Sequence, residues 1–402
     1  MNRRRVKITG IGPVTPAGIG RENFWRGILE PVSRVRAFAK LGSQYGPLVA
    51  AYLDNFDIGD HADVTLLPNG SARHTLFAVA GSLLALRDAG ITIEELKKTN
   101  LAIIVGATLM DFGAINSGID SVTKRGARGA MPRTIYTSNT ASIAGAVNNV
   151  LGLAARTRAI QSSCCSGLDA IGYAAGLIAG GEIDVAICGG TEAPLYRSPL
   201  LEFRAAGLTP PTNEMPDRLD RPFDLWRTTG VISEGACMFV IEADRNHRPA
   251  YSYIEGYAFA SDSDSDLCSG IAAASSLALA DARMRPPDIE TINAWGPGHR
   301  LIDAGEARAM AKVFAGALDD LPVTSIKGAI GNPLAAAGAI QVATAALAQK
   351  DGIIPPTVNW EYPDPACPLN LSNQSRVLDH GVTLVNAHGL AGVNSTAILA
   401  RC

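Results

Sequence analysis

Short runs of apolar residues alternate with longer Ala-rich segments along the whole chain. Two of these runs, Leu101–Gly106 and Asp184–Gly190, are almost continuously apolar, which is the pattern of strands covered on both faces of a sheet. Val6–Gly10 and Cys237–Ile241 indicate two further strands, whereas Thr75–Asp88 carries apolar residues at the spacing of a helix. The alternation predicts an α/β protein.

One arrangement, a strand followed by a turn of small residues and an Ala-rich helix, occurs twice. In the first copy, the strand Ala159–Ser163 leads into the turn Cys164–Gly167. In the second copy, Val323–Lys327 leads into Gly328–Pro333 and then into the helical segment Leu334–Gln349. We interpret this as an internal repeat.

The predicted boundary between the two halves lies in the polar stretch Asp244–Arg248, which is followed by a proline. It gives an N-terminal half of residues 1–245 and a C-terminal half of residues 246–402. No low-complexity linker lies between them, so we expect the halves to pack tightly. With 402 residues, 47% of them hydrophobic, the chain is long enough for a sizeable core.

Charge and composition exclude several classes of protein. The 35 basic and 38 acidic residues give a net charge of −3, which argues against nucleic-acid binding. Apolar stretches such as Ile171–Ala179 are shorter than the roughly 20 residues that cross a bilayer, and glycines and prolines interrupt Val6–Gly20, unlike a secretory signal. The seven cysteines are dispersed without metal-ligand spacing. We therefore expect a cytoplasmic protein with reduced thiols and with no metal, redox cofactor or membrane partner.

The most informative segment is Gln161–Ala170, in which a strand turns into a Gly/Ala-rich helix with Cys164 at the turn. Backbone N–H groups and the helix dipole favour an anion at such a position. The pattern therefore predicts a thiol with a lowered pKa, and so a nucleophile. From the residues alone, a buried structural cysteine remains the alternative.

Several segments along the chain are landmarks that occur together, in this order, in one known family. Besides the cysteine turn, these segments are Val6–Gly12, Val185–Glu192, Arg221–Asp224, Ser233–Ala236, Ala335–Gly338 and Pro355–Asn359. With them the chain resembles the elongating β-ketoacyl-acyl carrier protein synthases of the thiolase superfamily, over nearly its whole length. The resemblance implies a thiolase fold, in which two repeated halves form a five-layered αβαβα sandwich. It also implies a dimer formed across the strand before the cysteine, near Ala154–Gln161.

By this resemblance, Cys164 attacks an acyl thioester that is carried on the phosphopantetheine of an acyl carrier protein or on coenzyme A, and no separate cofactor is implied. The oxyanion hole is expected from the backbone N–H of Cys164 and from the loop Asn386–Asn394, which contains Gly389 and Leu390. Backbone donors of this kind stabilise a tetrahedral intermediate.

Both histidines that the family pairs with its cysteine are replaced in this chain. Trp295 occupies the first position and Asn332 the second. Asn still offers a donor to a carbonyl oxygen, whereas Trp offers only an indole N–H. The two positions that usually hold the pantetheine arm are Pro297 and His299.

Two histidines are candidates to replace the missing pair. His388 lies on the loop that approaches the cysteine in this family, and His299 follows Trp295 by four residues. Lys327 and Glu306 remain in place, and we expect them to support the site structurally as a partly buried ion pair. We therefore predict the following site: catalytic Cys164, Asn332 and His388; substrate or oxyanion contacts from Trp295, His299, Gly389 and Leu390; structural support from Lys327 and Glu306.

Two further segments bear on partners and ions. Ser261–Asp266 alternates serine with aspartate but lacks the glycine and distal glutamate of a calcium loop, so we expect a solvated loop. The family's docking helix for the acidic carrier protein is usually basic. The corresponding residues 67–76 contain only Arg73 and His74.

Three functions follow from this pattern. The first is a ketosynthase-like acyltransferase of polyketide or fatty-acid-like biosynthesis, which forms an acyl-Cys intermediate but has impaired malonyl decarboxylation. The second is a non-catalytic partner subunit that resembles a chain-length factor. The third is a decarboxylating synthase with a relocated histidine. In each case the expected partners are an acyl carrier protein or acyl-CoA and a second ketosynthase-fold subunit, in a homodimer or a heterodimer.

Overall fold

Strands and helices alternate along the chain, as the apolar pattern predicts. The computed structural model describes residues 3–263, 266–379 and 381–402. Within them the strands are β1 (Val6–Thr15), β2 (Gly18–Ile19), β3 (Val35–Ala37), β4 (Val49–Ala51), β5 (Leu101–Gly106), β6 (Arg156–Ile160), β7 (Val185–Glu192), β8 (Gly235–Ala243), β9 (Ser252–Ser261), β10 (Thr291–Asn293), β11 (Val323–Thr324), β12 (Ile353–Ile354), β13 (Arg376–Val377), β14 (Val382–Gly389) and β15 (Val393–Arg401). The α-helices are α1 (Arg21–Leu29), α2 (Arg73–Ala89), α3 (Ile93–Leu96), α4 (Phe112–Arg125), α5 (Arg133–Thr137), α6 (Ala141–Val150), α7 (Ser166–Ala179), α8 (Arg197–Ala205), α9 (Ser269–Ala282), α10 (Arg300–Phe314), α11 (Lys327–Ile330) and α12 (Ala337–Asp351).

Two sets of five strands share one topology. The N-terminal set has the spatial order β1-β8-β7-β5-β6, and the C-terminal set has the order β9-β15-β14-β10-β11. In each set the first strand pairs antiparallel with the last, and the second and third strands pair parallel. Antiparallel pairing of β1 with β9 joins the sets into one continuous path. The predicted repeat and the thiolase fold are confirmed.

The helices complete a sandwich of five layers. Helices α7 and α12 follow the third strand of their sets, contact each other and lie between the two sets of strands. Helix α2 covers the outer face of the N-terminal set, and α9 covers that of the C-terminal set. The central pair packs closely because small residues line it: a Cβ added at Gly338 would lie 2.8 Å from the Cβ of Leu168.

Two predicted elements are shorter than expected, and both lie beside the cysteine turn. The second-half strand ends at Thr324, because Lys327 begins α11 and turns its side chain into the core. The helix predicted to begin at Leu334 starts with a 3-10 turn, Leu334–Ala336, and continues as α12. Among the residues that the structure describes, no helix is both long and apolar enough to cross a bilayer.

Candidate active site

Cys164 lies in the tight turn between β6 and α7. Ser163 precedes it with a φ of 54°, a left-handed conformation that is uncommon for a residue with a Cβ. The carbonyl of Ser163 accepts hydrogen bonds from the hydroxyls of Thr108 and Ser166. The N–H of Ser162 donates to the hydroxyl of Ser166 at 2.9 Å. These bonds hold the turn and so fix where the cysteine begins the helix.

The thiol of Cys164 is nearly buried, with 6% of the residue exposed. Burial raises the pKa of this thiol to about 11, and the carboxylate of Glu192 acts in the same direction. The Ser163 hydroxyl 4.0 Å away, the N–H of Leu390 and the charge of Lys327 favour the thiolate but do not outweigh burial. The prediction of a lowered pKa at this helix N-terminus is therefore wrong, because loss of hydration is the larger effect.

The pocket around the sulfur is narrow and mainly apolar. Its free volume is about 30 Å³, which is room for a water molecule or two. It brings together six of the nine predicted site residues, while Gly389, Lys327 and Glu306 lie behind its wall. The lining residues are Cys164, Phe203, Leu208, Thr229, Gly230, Ile232, Trp295, Pro297, His299, Ile302, Asn332, Leu334, His388 and Leu390.

The geometry around His388 determines which of its nitrogens carries the proton. Its Nδ1 lies 2.8 Å from Oδ1 of Asn394. The Nδ2 group of Asn394 donates to a carboxylate oxygen of Asp262 at 2.8 Å, and this bond fixes the orientation of the amide. Nδ1 of His388 must therefore be the donor to Oδ1. Burial lowers the pKa of His388, so the ring is neutral at pH 7 and Nε2 carries a lone pair, which finds no hydrogen-bond partner among the described residues.

Asn394 and Asp262 are two residues that the sequence analysis did not assign to the site. Besides Asn394, the carboxylate of Asp262 accepts the N–H groups of Cys268 and Gly270, which begin α9. The prediction that Ser261–Asp266 is a solvated loop is thus wrong for Asp262, while Asp264 lies outside the described residues. An alternation of Asp and Ser gives no sign that one carboxylate turns inward.

His299 and Asn332 line the pocket but also serve the backbone. Nδ1 of His299 accepts the N–H groups of Leu301 and Ile302 at 3.3 and 3.4 Å and so caps α10. Oδ1 of Asn332 accepts the N–H of Leu334 at 3.2 Å. The Nδ2 group of Asn332 is therefore the part that is left to donate to a ligand.

Trp295 is held by its backbone from two sides. Glu306 accepts the N–H groups of Trp295 and Gly296, both at 2.8 Å. Nζ of Lys327 donates to the carbonyl of Trp295 and to Gln341, both at 3.0 Å, and lies 4.4 Å from the centre of the indole ring. Burial lowers the pKa of Lys327 to about 7 and raises that of Glu306.

The predicted ion pair is wrong in its geometry. Lys327 and Glu306 are both completely buried rather than partly buried. Within the described part of the chain they form no ion pair with each other, because each is bonded to the backbone of the Trp295 loop instead. The contacts are those of structural support.

The loop after β14 approaches the cysteine turn very closely. A Cβ added at Gly389 would lie 2.8 Å from the Cβ of Ser163, so glycine is required here. The close approach brings the backbone of Leu390 near the sulfur of Cys164, where its N–H favours the thiolate, while the Leu390 side chain is 55% exposed at the pocket mouth.

Comparison with known proteins assigns the family. A model described as "Beta-ketoacyl synthase, N-terminal domain" matches residues 3–247, and one described as "Beta-ketoacyl synthase, C-terminal domain" matches residues 251–361. The chain belongs to the β-ketoacyl synthase family. The family predicted from the sequence is confirmed.

Curated relatives match this chain over nearly its whole length. The tetracenomycin polyketide synthase ketoacyl synthase alpha subunit of Streptomyces glaucescens is 32% identical, over 99% of this chain and 97% of the relative. The 3-oxoacyl-[acyl-carrier-protein] synthase 2 of Coxiella burnetii is 30% identical, over 100% and 99%.

Solved structures agree with the fold. The ishigamide ketosynthase/chain length factor gives a TM-score of 0.91 at 27% identity and covers 100% of both chains. A β-ketoacyl synthase from Burkholderia phymatum STM815 gives a TM-score of 0.90 at 26% identity, over 99% of this chain and 100% of the other.

The carrier-docking residues expected in a β-ketoacyl synthase are already engaged within this chain. The guanidinium of Arg73 donates twice to Glu234, at 2.7 Å each, and once to the carbonyl of Leu53. His74 is buried, with 2% exposed, and burial lowers its pKa to about 4. Neither residue therefore offers a free positive charge to an acidic partner.

Proposed function

We propose that Cys164 takes an acyl group from an acyl carrier protein or coenzyme A thioester and passes it to an acceptor. The observation that carries the proposal is the sulfur in its turn, with the N–H of Leu390 beside it and His388 in the same pocket. The acceptor is a nucleophile such as a preformed carbanion, an amine or an alcohol. The names of the relatives support a place in polyketide or fatty-acid-like biosynthesis.

In the proposed step, Sγ of Cys164 bonds to the thioester carbonyl carbon while the thiol proton moves to Nε2 of His388. The backbone N–H groups of Cys164 and Leu390 stabilise the negative oxygen of the tetrahedral intermediate. The bond from carbon to the pantetheine sulfur then breaks, and His388 returns the proton to that sulfur. A neutral histidine with a free lone pair is suited to both transfers.

The raised pKa of the thiol makes this base necessary. At pH 7 a thiol with a pKa of about 11 is protonated, and the thiol is a far weaker nucleophile than the thiolate. Attack must therefore be coupled to removal of the proton.

Malonyl decarboxylation is expected to be impaired. Trp295 and Asn332 stand where the family places two imidazoles, and of the two only Asn332 offers a flexible donor, its Nδ2 group. Removing one donor of this type commonly costs about 10²–10³ in rate. The proposed acyl transfer does not require decarboxylation.

Intact-protein mass spectrometry tests the proposal. The wild-type chain is incubated with acetyl-, hexanoyl- and decanoyl-CoA, and one acyl group is expected to add at Cys164. Cys164→Ala should remove the adduct, whereas Cys402→Ser, which changes an exposed thiol, should retain it. No acylation at Cys164 with any of these thioesters, or with carrier-protein thioesters, would refute acyl transfer.

Specific observations also favour a second function, that of a chain-length-factor-like partner subunit. The free volume of about 30 Å³ leaves little room for an acyl group, and Arg73 and His74 are unavailable for docking. One structural neighbour is titled a ketosynthase/chain length factor. A chain that is never acylated, yet forms a 1:1 complex with a Cys-His-His synthase and is needed for its activity, would establish this function.

A further inference from the structure

A buried acceptor atom without a partner lies in the pocket of Cys164. Nε2 of His388 carries a lone pair, because Nδ1 holds the proton that is donated to Asn394. This Nε2 finds no hydrogen-bond partner among the described residues, Cys164 included, and the residue is only 2% exposed. Buried polar atoms of this kind are satisfied by an ordered water molecule or by a ligand. The atom therefore needs a hydrogen-bond donor that enters the pocket.

The size of the pocket determines which donor fits. Its free volume of about 30 Å³ is room for a water molecule or two, and an alkyl amine or alcohol needs more. The Nδ2 group of Asn332, which is left to donate, lines the same pocket. A water molecule there would find both an acceptor and a donor, which are the partners that a buried water requires.

The tryptophan that replaces the family's first histidine keeps this space small. Trp295 is 2% exposed, and Nζ of Lys327 lies 4.4 Å from the centre of its ring. Glu306 and Lys327 also hold its backbone, so this side of the pocket widens only if buried hydrogen bonds break. The wall that includes Phe203 and Leu208 is apolar, and its side chains can change rotamer to admit an acyl chain. Space for the acyl group can therefore grow while space for the acceptor stays small.

We propose that the acceptor of the acyl group is water, and that the chain is a thioesterase that hydrolyses acyl thioesters through acyl-Cys164. The inference rests on the proposed acyl transfer and names its acceptor. A carbanion acceptor is disfavoured because Trp295 and Asn332 replace the two imidazoles that support malonyl decarboxylation. Larger amines and alcohols are disfavoured by the free volume.

Hydrolysis needs only groups that the pocket already contains. The oxygen of water bonds to the carbonyl carbon of acyl-Cys164 while one of its protons moves to Nε2 of His388. The backbone N–H groups of Cys164 and Leu390 stabilise the negative oxygen of the tetrahedral intermediate. The bond from carbon to Sγ then breaks, and His388 returns the proton to the sulfur. The products are a free carboxylic acid and the original thiol.

Decay of the isolated acyl-enzyme tests the proposal. The wild type is acylated with hexanoyl-CoA, freed of excess thioester by rapid gel filtration and followed by intact-protein mass spectrometry at pH 7 in H₂¹⁸O. The adduct should decay, and the hexanoic acid released should carry one ¹⁸O atom. His388→Phe, acylated at pH 9 and returned to pH 7, should lose its adduct about 10²–10⁴-fold more slowly, because the base is missing. The control His61→Asn should decay like the wild type.

Three results would overturn the inference, and they are distinguishable from one another. An adduct at Cys164 that persists in the wild type as long as in His388→Phe would exclude hydrolysis but leave acyl transfer to another acceptor intact. Formation of butyl hexanoate in preference to hexanoic acid, when butanol is added, would show that the acceptor space admits more than water. Absence of both adduct and acid, with the chain folded by circular dichroism, would overturn the acyl transfer itself.

Discussion

Replacing His388 by phenylalanine tests whether this ring removes the thiol proton. With a pKa of about 11 for the Cys164 thiol, only about one molecule in 10⁴ is a thiolate at pH 7. Without a base, acylation must proceed through that fraction. Since general base catalysis contributes about 10²–10⁴ in rate, His388→Phe should slow acylation at pH 7 by about this factor.

The pH dependence separates loss of a base from a packing defect. Acylation of the wild type should change little between pH 7 and 9, because burial keeps His388 neutral there. In His388→Phe the rate should rise about tenfold per pH unit over the same range, following the thiolate fraction. Quenched-flow mass spectrometry of the acyl-enzyme measures both profiles, and His61→Asn, which changes a peripheral histidine, is the control. Equal rates and parallel profiles for the variant and the wild type would refute the role of His388.

Four further predictions concern the surroundings of the sulfur and the core. Asn394→Ala removes the acceptor that keeps the proton of His388 on Nδ1. It should slow acylation about 10–100-fold, while the titration of the thiol, followed by difference absorbance, stays unchanged. Glu306→Gln leaves one of two buried N–H groups without an acceptor, and should lower the free energy of unfolding in urea by about 1–3 kcal/mol; a loss below about 0.5 kcal/mol would contradict this reading. Restoring imidazoles in the double variant Trp295→His/Asn332→His should raise CO₂ release from malonyl-carrier protein above the wild-type rate, and no increase would count against impaired decarboxylation. His74 has a folded pKa of about 4 against 6.5 unfolded, so the unfolded state binds more protons between these values. Stability should therefore fall by about 3 kcal/mol as the pH drops from 6.5 to 4, and His74→Leu should flatten this dependence.

The fold was accessible to sequence reasoning because it depends on apolar pattern. Continuous apolar runs such as Leu101–Gly106 become strands that are buried on both faces, and the two Ala-rich segments after the turns become the central helices α7 and α12. Both the apolar runs and the Ala-rich segments can be recognised from neighbouring residues alone, because each buried position favours an apolar or small side chain. The family resemblance further predicted that residues from both halves of the chain meet at one site, and six of them line one pocket.

The site chemistry was less accessible because it depends on three-dimensional surroundings. The position of Cys164 before a helix suggested a low pKa, but the pKa depends on how much water reaches the sulfur, and that is set by distant residues such as Trp295 and Leu390. The tautomer of His388 depends on Asn394, and Asn394 is oriented by Asp262, more than a hundred residues earlier in the sequence. No spacing rule within a single segment reports such a chain of contacts.

The pocket combines a rigid side and an adaptable side. On the rigid side, Glu306 and Lys327 hold the backbone of the Trp295 loop with buried hydrogen bonds, and moving that loop would break several of them at once. On the other side the wall is formed by apolar side chains such as Phe203 and Leu390, which change rotamer without losing a hydrogen bond. Because the free volume is only about 30 Å³, an acyl chain would have to displace this apolar wall to enter. In the proposed acyl transfer, acyl-chain selectivity should accordingly depend on that wall, and the reactivity of the sulfur should depend on the rigid side and on His388.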